Sequence, residues 1–457
     1  MVGGCFAIRP SLLSVCPIPF FMSSAPQPEP IATTPLEPSG VFGRTFRAFQ
    51  YRNFRLLWFG AFTSSSGTWM QETAQNWLIF TLTGREWFLG LNSALGAFPF
   101  ILFSLLGGVV ADRVDRRKIL MTSQWLQLTF AFTLAALAAF QLQSVWPILV
   151  LSFMTGCAQA FGGPAYQALM PVLVDRKEDV SNAIALNSMQ FNLARTVGPV
   201  FGGWVLYLMG ADEKALTSKA AAVCFAINGL SFVAVVIALS RLRVPPIIRN
   251  ANQEKNIRSE MKAGLSFVWQ QEALRTLTVI SFAATLFGIQ FITFLPVFAN
   301  KYLHTGAGGY SALLSVSGAG SACGALFSAW LGDAKHKGRL VLLLQIGSAS
   351  ALLLLAMFPI IWLAYPMVFL ASGGLIATFS LTSSLVQLLV PDAMRGRVMS
   401  IYMVAFRGGM PLGALITGFL ADAPFHLPLA HVLLGEAILL ILLAIAFLFS
   451  NSKLHEH

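Results

Sequence analysis

Apolar stretches follow one another along almost the whole chain, separated by short polar segments. Each is about 20 residues long, the length that an α-helix needs to cross ~30 Å of hydrocarbon. They are too long and too continuously apolar for barrel strands. We number them spans 1 to 12, with predicted ranges 56–83, 88–111, 119–141, 145–173, 181–210, 220–240, 276–300, 308–332, 340–359, 363–390, 398–421 and 427–450. The pattern predicts an all-α membrane protein with twelve transmembrane helices.

The composition and the placement of charge support this prediction and orient the helices. The chain is 56% hydrophobic and 11% charged, and a solvated globule of 457 residues cannot cover so much apolar surface. With both termini inside, 23 of the 30 basic residues fall in inner segments and 4 in outer loops. Lys and Arg collect in cytoplasmic loops, so we expect a multi-pass membrane protein with both termini cytoplasmic. The net charge of +11 then reflects topology and attraction to membrane lipids, with no nucleic-acid partner.

A polar linker with Pro245 and Pro246 divides the spans six and six, as parallel structural repeats would. No loop can house a soluble catalytic domain, so we do not expect an enzyme. Met22 is a candidate translation start within the proline-rich N-terminal region. The predicted organisation is a disordered extension (1–41), an N-terminal six-helix bundle (42–240), a cytoplasmic linker with an amphipathic segment (241–275), a C-terminal six-helix bundle (276–450) and a tail (451–457).

Span 1 carries a polar stripe on an otherwise apolar helix. Its members recur at three- and four-residue steps, which places them on one face: Ser65, Thr68, Glu72, Gln75 and Asn76. An ionisable side chain at mid-bilayer costs at least ~2.5 kcal/mol and rarely persists without a use. We therefore predict that the stripe faces a central cavity in which Glu72 binds a proton or substrate. The alternative is a structural ion pair between Glu72 and Arg195.

Other polar and aromatic positions within the spans could complete this cavity. Arg195 and Arg407 are each expected to bind an anionic substrate group, to bridge helices or to balance a carboxylate. The remaining candidates are Gln159, Gln290, Phe294 and Gln387. Aromatic residues in membrane helices also serve plain packing, and that interpretation stays open for Phe294. Glu436, in the outer part of span 12, is expected to be hydrated and without a role.

The sequence contains no strong metal site, and we expect neither a metal nor another cofactor. The five cysteines have no metal-ligand spacing, and three of them lie inside spans as small packing residues. Asp422, His426 and His431 form a weak cluster around a loop that Pro424 and Pro428 interrupt.

Several motifs resemble the major facilitator superfamily of secondary transporters. The run Gly108-Val-Val-Ala-Asp112-Arg113-Val-Asp-Arg116-Arg117 is similar to its signature between spans 2 and 3, with Asp115 in place of the usual glycine. The run Gly198-Pro199-Val-Phe-Gly202-Gly203 is similar to the signature of its proton-driven exporters. Further matches resemble the enterobactin-exporter-like branch, also called transmembrane secretion effectors; they are Gly67-Thr-Trp-Met-Gln71, Pro164-Ala-Tyr-Gln-Ala-Leu-Met-Pro171 and Arg395-Gly-Arg397-Val-Met-Ser400.

The resemblance implies two pseudo-symmetric six-helix bundles and a charged gate on the inner side. We predict that Asp112, with Gly108 allowing close approach and Arg113, Arg116 and Arg117 nearby, docks on the start of span 11. There, near Arg395, Arg397 and Ser400, free backbone N–H groups would attract an anion. Asp333 could dock similarly on the start of span 5. The alternative is a solvated charge cluster that only anchors the loop.

The motif of span 5 comprises Arg195, Gly198, Pro199, Gly202 and Gly203. Proline can kink the helix, and the glycines offer a flat face for close helix contact that would resist leakage. Ordinary glycine packing is the alternative.

Taken with the resemblance, these features predict a carrier of the bacterial inner membrane. We expect proton-coupled efflux of a small amphipathic molecule, siderophore-like or drug-like, by alternating access. Protons, the small-molecule substrate and membrane lipids are the expected partners. The monomer should suffice, since one chain contains both halves of a carrier. An uptake symporter or uniporter, a lysolipid flippase and a non-transporting scaffold or sensor remain alternatives.

Overall fold

The computed structural model describes residues 46–142, 144–211, 214–242, 257–331, 336–422 and 425–450. Within these ranges only the backbone is described at 104–109, 111–113, 257–261, 392–393 and 395–396. In this part of the chain twelve long helices correspond to the twelve spans, which confirms the predicted fold. In the N-terminal half they are Arg52–Thr83, Glu86–Arg113, Arg116–Ala139, Val145–Leu169, Val180–Leu208 and Lys214–Ser240. In the C-terminal half they are Glu272–Tyr302, Gly306–Trp330, Lys337–Met357, Ile361–Leu389, Asp392–Ala421 and Leu429–Ser450.

Ten of these helices in the described residues are long and apolar enough to cross a membrane. The other two, spans 1 and 5, are equally long at 32 and 29 residues. They are also the helices that carry Glu72 and Arg195. Their lower hydropathy follows from a polar face, which a membrane helix tolerates only where it lines a cavity or a partner helix. The two least apolar spans therefore point to the site.

The two halves repeat one packing scheme. Span 1 packs against spans 5 and 6, span 2 against span 4, and span 3 against spans 4 and 6. The same pairs recur six spans later, where span 7 contacts spans 11 and 12, span 8 contacts span 10, and span 9 contacts spans 10 and 12. Pseudo-symmetry also relates the two main contacts between the halves, span 2 with span 11 and span 5 with span 8. This arrangement is that of two parallel six-helix repeats.

Span 7 is the least regular helix. It starts as an α-helix at Glu272–Ala283 and continues through a π-helical turn at Ala284–Gly288 and a 3-10 segment at Ile289–Phe294. A second π-helical turn, Phe298–Tyr302, closes it. Short π and 3-10 segments inside a long helix often mark functional sites and hinges. Pro296, which cannot donate a backbone hydrogen bond, lies between the two irregular parts.

Two shorter elements lie at the inner end, which is the end that carries most of the basic loop residues. The linker contributes the helix Ile257–Gln270, whose Gly264 packs beside Arg397 and Ile401 of span 11. Before span 1, a 3-10 turn at Arg47–Gln50 is fastened to Asp179 at the start of span 5. Each half therefore has an accessory segment that contacts its own inner helix ends.

Candidate functional site

A small recess lies between the two halves, near the middle of the spans. Spans 1 and 5 contribute most of its polar lining, and spans 7 and 8 close the opposite side. The lining residues used below are Glu72, Asn76, Arg195, Pro199 and Tyr310. The recess holds about 30 Å³, so it fits roughly one water molecule. Ligand pockets for drug-sized molecules are usually ~300 Å³ or larger. This recess is therefore sized for a proton or a water molecule.

Glu72 and Arg195 share the recess without direct contact. More than a third of the surface of Glu72 is accessible, although the residue lies in the middle of span 1. Within the described residues the two side chains form no ion pair. Instead the Arg195 guanidinium carbon lies 5.5 Å from the centre of the Trp69 ring, a cation–π contact. A structural ion pair is therefore not formed in this conformation, and the Glu72 carboxyl stays available to a proton or ligand.

Two ion pairs join the halves at the outer end, the end opposite the basic inner loops. Arg85 Nε lies 2.9 Å from Asp422 Oδ2, at the end of span 11. The next residue, Glu86, receives a hydrogen bond from Lys301 Nζ of span 7 at 2.7 Å. These residues and His426 line a surface pocket of about 640 Å³ at the outer end. Asp422, considered above for a metal site, is thus engaged with an arginine.

The glycines of the span 5 motif lie on two different interfaces. A Cβ at Gly198 would come within 2.6 Å of Ser66 O and Trp69 Cβ, and Gly202 faces the backbone of Met70, so both pack against span 1. Gly203 instead faces span 8, where a Cβ would overlap the side chain of Ser311. Only glycine allows both approaches without displacement of a helix. The motif therefore fixes span 5 within its half and against the other half.

Gln75 and Asn76 belong to a buried network in the N-terminal half. Gln75 Nε2 donates to Asn92 Oδ1 at 2.8 Å and to Ser152 Oγ at 2.7 Å, and Asn92 Nδ2 donates to Asn76 Oδ1 at 3.2 Å. The prediction that Gln75 faces the central cavity is wrong, because its amide is buried among spans 1, 2 and 4. Asn76 also borders the recess and connects it to this network.

Gln290 and Phe294 also lie away from the recess. Phe294 is fully buried in the apolar core, so packing explains it. Gln290 is fully buried and donates to Glu436 Oε2 at 2.8 Å. Glu436 is only 5% exposed and accepts a further hydrogen bond from Thr417 Oγ1. The expectation of a hydrated Glu436 is therefore wrong. Residue pattern alone could not reveal this site, because its three members come from three different spans.

The remaining cavity candidates are spread out. The Arg407 guanidinium of span 11 lies 4.2 Å from the centre of the Phe100 ring of span 2, so it bridges the two halves. Gln159 is exposed in span 4, with its Nε2 3.5 Å from Gln127 Oε1. Gln387 is exposed near the inner end of span 10 and donates to Ser383. The structure does not bring these glutamines to the recess.

The cations after span 2 hold the inner ends of neighbouring helices. Arg116 Nη1 donates to Ala168 O, near the end of span 4, at 2.9 Å. Arg117 Nη2 donates to Ser240 O, at the end of span 6, at 2.7 Å. Both carbonyls lie at helix C-termini, where a cation is favourable. The two arginines therefore fasten the loop to its own half.

The N-terminus of span 11, on which Asp112 is predicted to dock, lies earlier in the chain than the sequence suggested. The helix of span 11 begins at Asp392, so Arg397 to Ser400 lie in its second turn and do not offer free backbone N–H groups. Arg397 Nη1 contacts Met394 Sδ at 3.6 Å. Of the remaining gate residues, Asp333 lies outside the described residues. Gly108, Asp112, Arg113 and Arg395 lie in described helices, but their contacts are not described. Docking of Asp112 stays a prediction.

Sequence comparison identifies relatives over most of the chain. It is 25% identical over 402 residues to the staphyloferrin A transporter of Staphylococcus aureus, covering 85% of this chain and 94% of that protein. It is 25% identical to the multidrug efflux pump Tap of Mycolicibacterium fortuitum, covering 80% and 89%. It is 26% identical to the enterobactin exporter EntS of Salmonella typhi, covering 80% and 84%.

Solved structures of transporters share the fold. The nucleoside transporter NupG matches with a TM-score of 0.65 at 16% identity, covering 88% of this chain and all of that one. A bacterial homologue of the human lysosomal transporter Spinster, in an inward-facing and unoccupied conformation, matches with a TM-score of 0.66 at 15% identity, covering 88% and 98%. The sequence model of the transmembrane secretion effectors matches residues 44–457. The chain therefore belongs to the transmembrane secretion effector family, a branch of the major facilitator superfamily of membrane transporters.

Proposed function

We propose that this protein exports a small amphipathic molecule, siderophore-like or drug-like, in exchange for protons. The observation that carries the proposal is the position of Glu72, a partly accessible residue, beside Arg195 in a recess between two halves that are joined at their outer ends. Relatives named as a siderophore exporter and as a multidrug efflux pump support the direction and the cargo class.

The positions at which the two halves touch support alternating access as the transport mechanism. In the described residues the ion pairs, ring contacts and close glycine approaches between the halves lie in the outer and middle parts of the spans. This conformation therefore corresponds to an outer-closed state. Rocking the halves would break the pairs at Arg85 and Lys301 and expose Glu72 to the outside. A proton that binds Glu72 there and leaves on the inner side would drive export.

Arg195 supports this role as an electrostatic partner. The ionised Glu72 carboxylate can accept a hydrogen-bond donor or a cationic group at the edge of the substrate, and the nearby Arg195 guanidinium stabilises that negative charge. A proton that binds Glu72 removes the charge and weakens this contact. Proton and substrate would thereby exclude each other at Glu72, as exchange requires.

Flux measurements in inside-out vesicles test the proposal. With an acidic lumen, we expect enterobactin, staphyloferrin A or ethidium to accumulate inside as protons leave. Glu72→Gln should lower this accumulation about tenfold, equivalent to ~1.4 kcal/mol, and remove its pH dependence. Glu178→Gln, an exposed carboxyl near span 5, is the matched control and should retain full flux.

Each other outcome contradicts the proposal in a specific way. Full proton-driven flux by Glu72→Gln removes the proton role of that residue. Accumulation in the opposite direction indicates an uptake symporter or uniporter, and movement of lysophospholipid alone indicates a flippase. Absence of any flux, together with a phenotype that depends on a partner, indicates a scaffold or sensor.

The proposed orientation has the inner end in the cytoplasm of a bacterial cell. Labelling of single cysteines with a membrane-impermeant maleimide tests it on intact spheroplasts. Leu142→Cys, in the exposed loop after span 3, should react, whereas Gln270→Cys, at the end of the linker helix, should react only after lysis. The reverse pattern would overturn the orientation.

A further inference from the structure

Glu436 is a buried carboxyl that the mechanism above does not use. It lies where spans 7, 11 and 12 meet, and it is only 5% exposed. Gln290 Nε2 of span 7 donates to one carboxyl oxygen at 2.8 Å, and Thr417 Oγ1 of span 11 donates to the other. Both donors are fully buried. Three spans therefore converge on a single acidic group.

No described cation compensates this carboxyl. Glu436 forms no ion pair among the described residues, and its two partners are neutral. The described ionisable residues on span 12 and on the spans packed against it are Glu272, Arg275, Lys301, Tyr302, Lys337, Arg339, Arg397, Tyr402, Arg407, Asp422 and His431. None of them bonds to the Glu436 carboxyl. A carboxylate in such a place is costly unless it is paired or takes up a proton.

The Gln290 amide can serve either protonation state. Its Nε2 donates to the carboxyl as described, whereas its Oε1 is buried without a hydrogen-bond partner among the described residues. Rotation of the amide by half a turn would present Oε1 as an acceptor for the proton of a neutral acid. Carbonyl and amino groups of a glutamine exchange places in this way without other movement. The site therefore contains a partner for a bound proton.

The two partners of Glu436 lie on the segments that hold the outer end closed. Thr417 precedes Gly418, at which a Cβ would lie 3.1 Å from Glu86 O and 3.3 Å from Trp87 Cα of span 2. Gln290 lies in the irregular part of span 7, which ends next to Lys301, the partner of Glu86. Both connections lead to the start of span 2. A change of charge at Glu436 therefore acts on both contacts of that segment.

We infer that Glu436 is a second proton-binding site, in the C-terminal half, and that proton release from it loosens the outer-closed contact of spans 7 and 11 with span 2. The inference rests on the proposed proton-coupled export and gives it a second carboxyl. The neutral acid fits the dry site between the three spans. The ionised acid requires water, which reaches it only when spans 7 and 11 move apart.

Distance measurements across the outer end test this inference. Spin labels at Leu142→Cys and Ile360→Cys, both exposed in outer loops of opposite halves, report the separation in lipid nanodiscs once the native cysteines are replaced by serine. We use a Glu72→Gln background, so that Glu72 cannot contribute. Between about pH 5 and about pH 9, the ratio of open to closed distances should rise about tenfold, equivalent to ~1.4 kcal/mol.

Substitution of Glu436 should abolish this response. Glu436→Gln, which keeps the shape of the neutral acid, should stay outer-closed across the whole pH range. Glu436→Asp should restore a pH response, and Glu272→Gln at the inner end of span 7 should leave it unchanged. A full response in Glu436→Gln, or its loss in Glu272→Gln as well, would overturn the inference. Monodisperse elution of each variant excludes misfolding as the cause.

Failure of this inference is distinguishable from failure of the proposed export. If none of the tested compounds is transported in vesicles but Glu436→Gln still removes the pH-dependent distance change, the proposal of export is wrong and the proton site stands. If export depends on Glu72 while Glu436→Gln keeps the distance change, the second site is wrong and the proposed function stands.

Discussion

Lys301 Nζ lies 2.7 Å from Glu86 Oε1, and this contact bonds the outer end of span 7 to the first residue of span 2 in the other half. The preceding residue, Arg85, bonds to Asp422 at the outer end of span 11. Two consecutive residues of opposite charge thus contact two helices of the opposite half. The proposed outward opening would break both pairs, since they join the halves.

Loss of the Glu86–Lys301 pair should favour the outer-open state. Glu86 is 8% exposed and Lys301 is half exposed, so we expect a contribution of about 1 kcal/mol. Glu86→Gln should therefore raise the ratio of open to closed molecules about fivefold. The distance between spin labels at positions 142 and 360 measures that ratio.

Charge exchange provides the control for this pair. Glu86→Lys alone should open the outer end further, because two cations then face each other, and adding Lys301→Glu should restore the closed state. Equal distance distributions in Glu86→Gln and in the native protein would mean that the pair contributes nothing to closure.

Gly203 should be the most sensitive position of the span 5 motif. A Cβ there would overlap the side chain of Ser311, and it would lie 2.9 Å from Ser311 Cα, so spans 5 and 8 must separate to accommodate it. Overpacking of this kind costs about 2 kcal/mol, which corresponds to a shift of about thirtyfold away from the outer-closed state. Gly203→Val should slow export accordingly in the vesicle assay.

A matched glycine separates this effect from a general effect of helix glycines. Gly347 lies inside span 9, and a Cβ there would meet nothing within 4 Å. Gly347→Ala should leave flux and conformational balance unchanged. Loss of flux in both variants would indicate that reduced expression or folding, and not the contact between the halves, causes the loss.

The sequence was sufficient to predict the twelve helices, because the alternation of apolar spans and charged loops is imposed by the bilayer itself. It also identified Glu72 and Arg195, since charge within a span is rare. The side chains that a polar residue contacts in the folded protein could not be predicted in this way. Gln75 follows Glu72 by three residues, yet its amide turns to Asn92 and Ser152, which lie on spans 2 and 4.

The irregular geometry of span 7 explains why Gln290 and Phe294 do not reach the recess. The expected faces of this helix assumed regular α-helical steps, but its π-helical and 3-10 segments rotate the following residues to different sides. Gln290 and Phe294 therefore face the interior of the C-terminal half. The burial of Glu436 was not predicted for a related reason, since its partners come from spans 7 and 11 and share no sequence pattern.

Asp179 should be important for stability at the inner end. It is 1% exposed and binds Arg47 Nε at 2.9 Å, and it also accepts hydrogen bonds from Gln50 and Tyr51. Hydrogen bonds to a charged group contribute about 2 kcal/mol each. Asp179→Ala should therefore lower the thermal midpoint in detergent and expose the segment before span 1 to protease. Glu178→Ala, at an exposed neighbour, should change neither; equal midpoints for both variants would contradict the assigned role.

Tyr51 should make stability at the inner end sensitive to alkaline pH. Burial raises the pKa of Tyr51 above its usual value of 10.0, and the hydrogen bond that its hydroxyl donates to Asp179 at 2.6 Å adds to this rise. The folded protein therefore keeps the phenol neutral to higher pH than the unfolded chain does. The resulting stabilisation is complete below about pH 10 and is lost as the pH rises through the folded pKa.

Tyr51→Phe isolates this contribution, because phenylalanine keeps the ring but cannot ionise. At neutral pH the thermal midpoint of the variant should lie below that of the native protein, because the variant lacks the hydrogen bond to Asp179. The difference between the two proteins should shrink as the pH rises above about 10. Tyr207→Phe, at a ring that is 70% exposed, serves as the control and should follow the native curve. A constant difference between native protein and Tyr51→Phe at all pH values would show that ionisation of Tyr51 is not linked to folding.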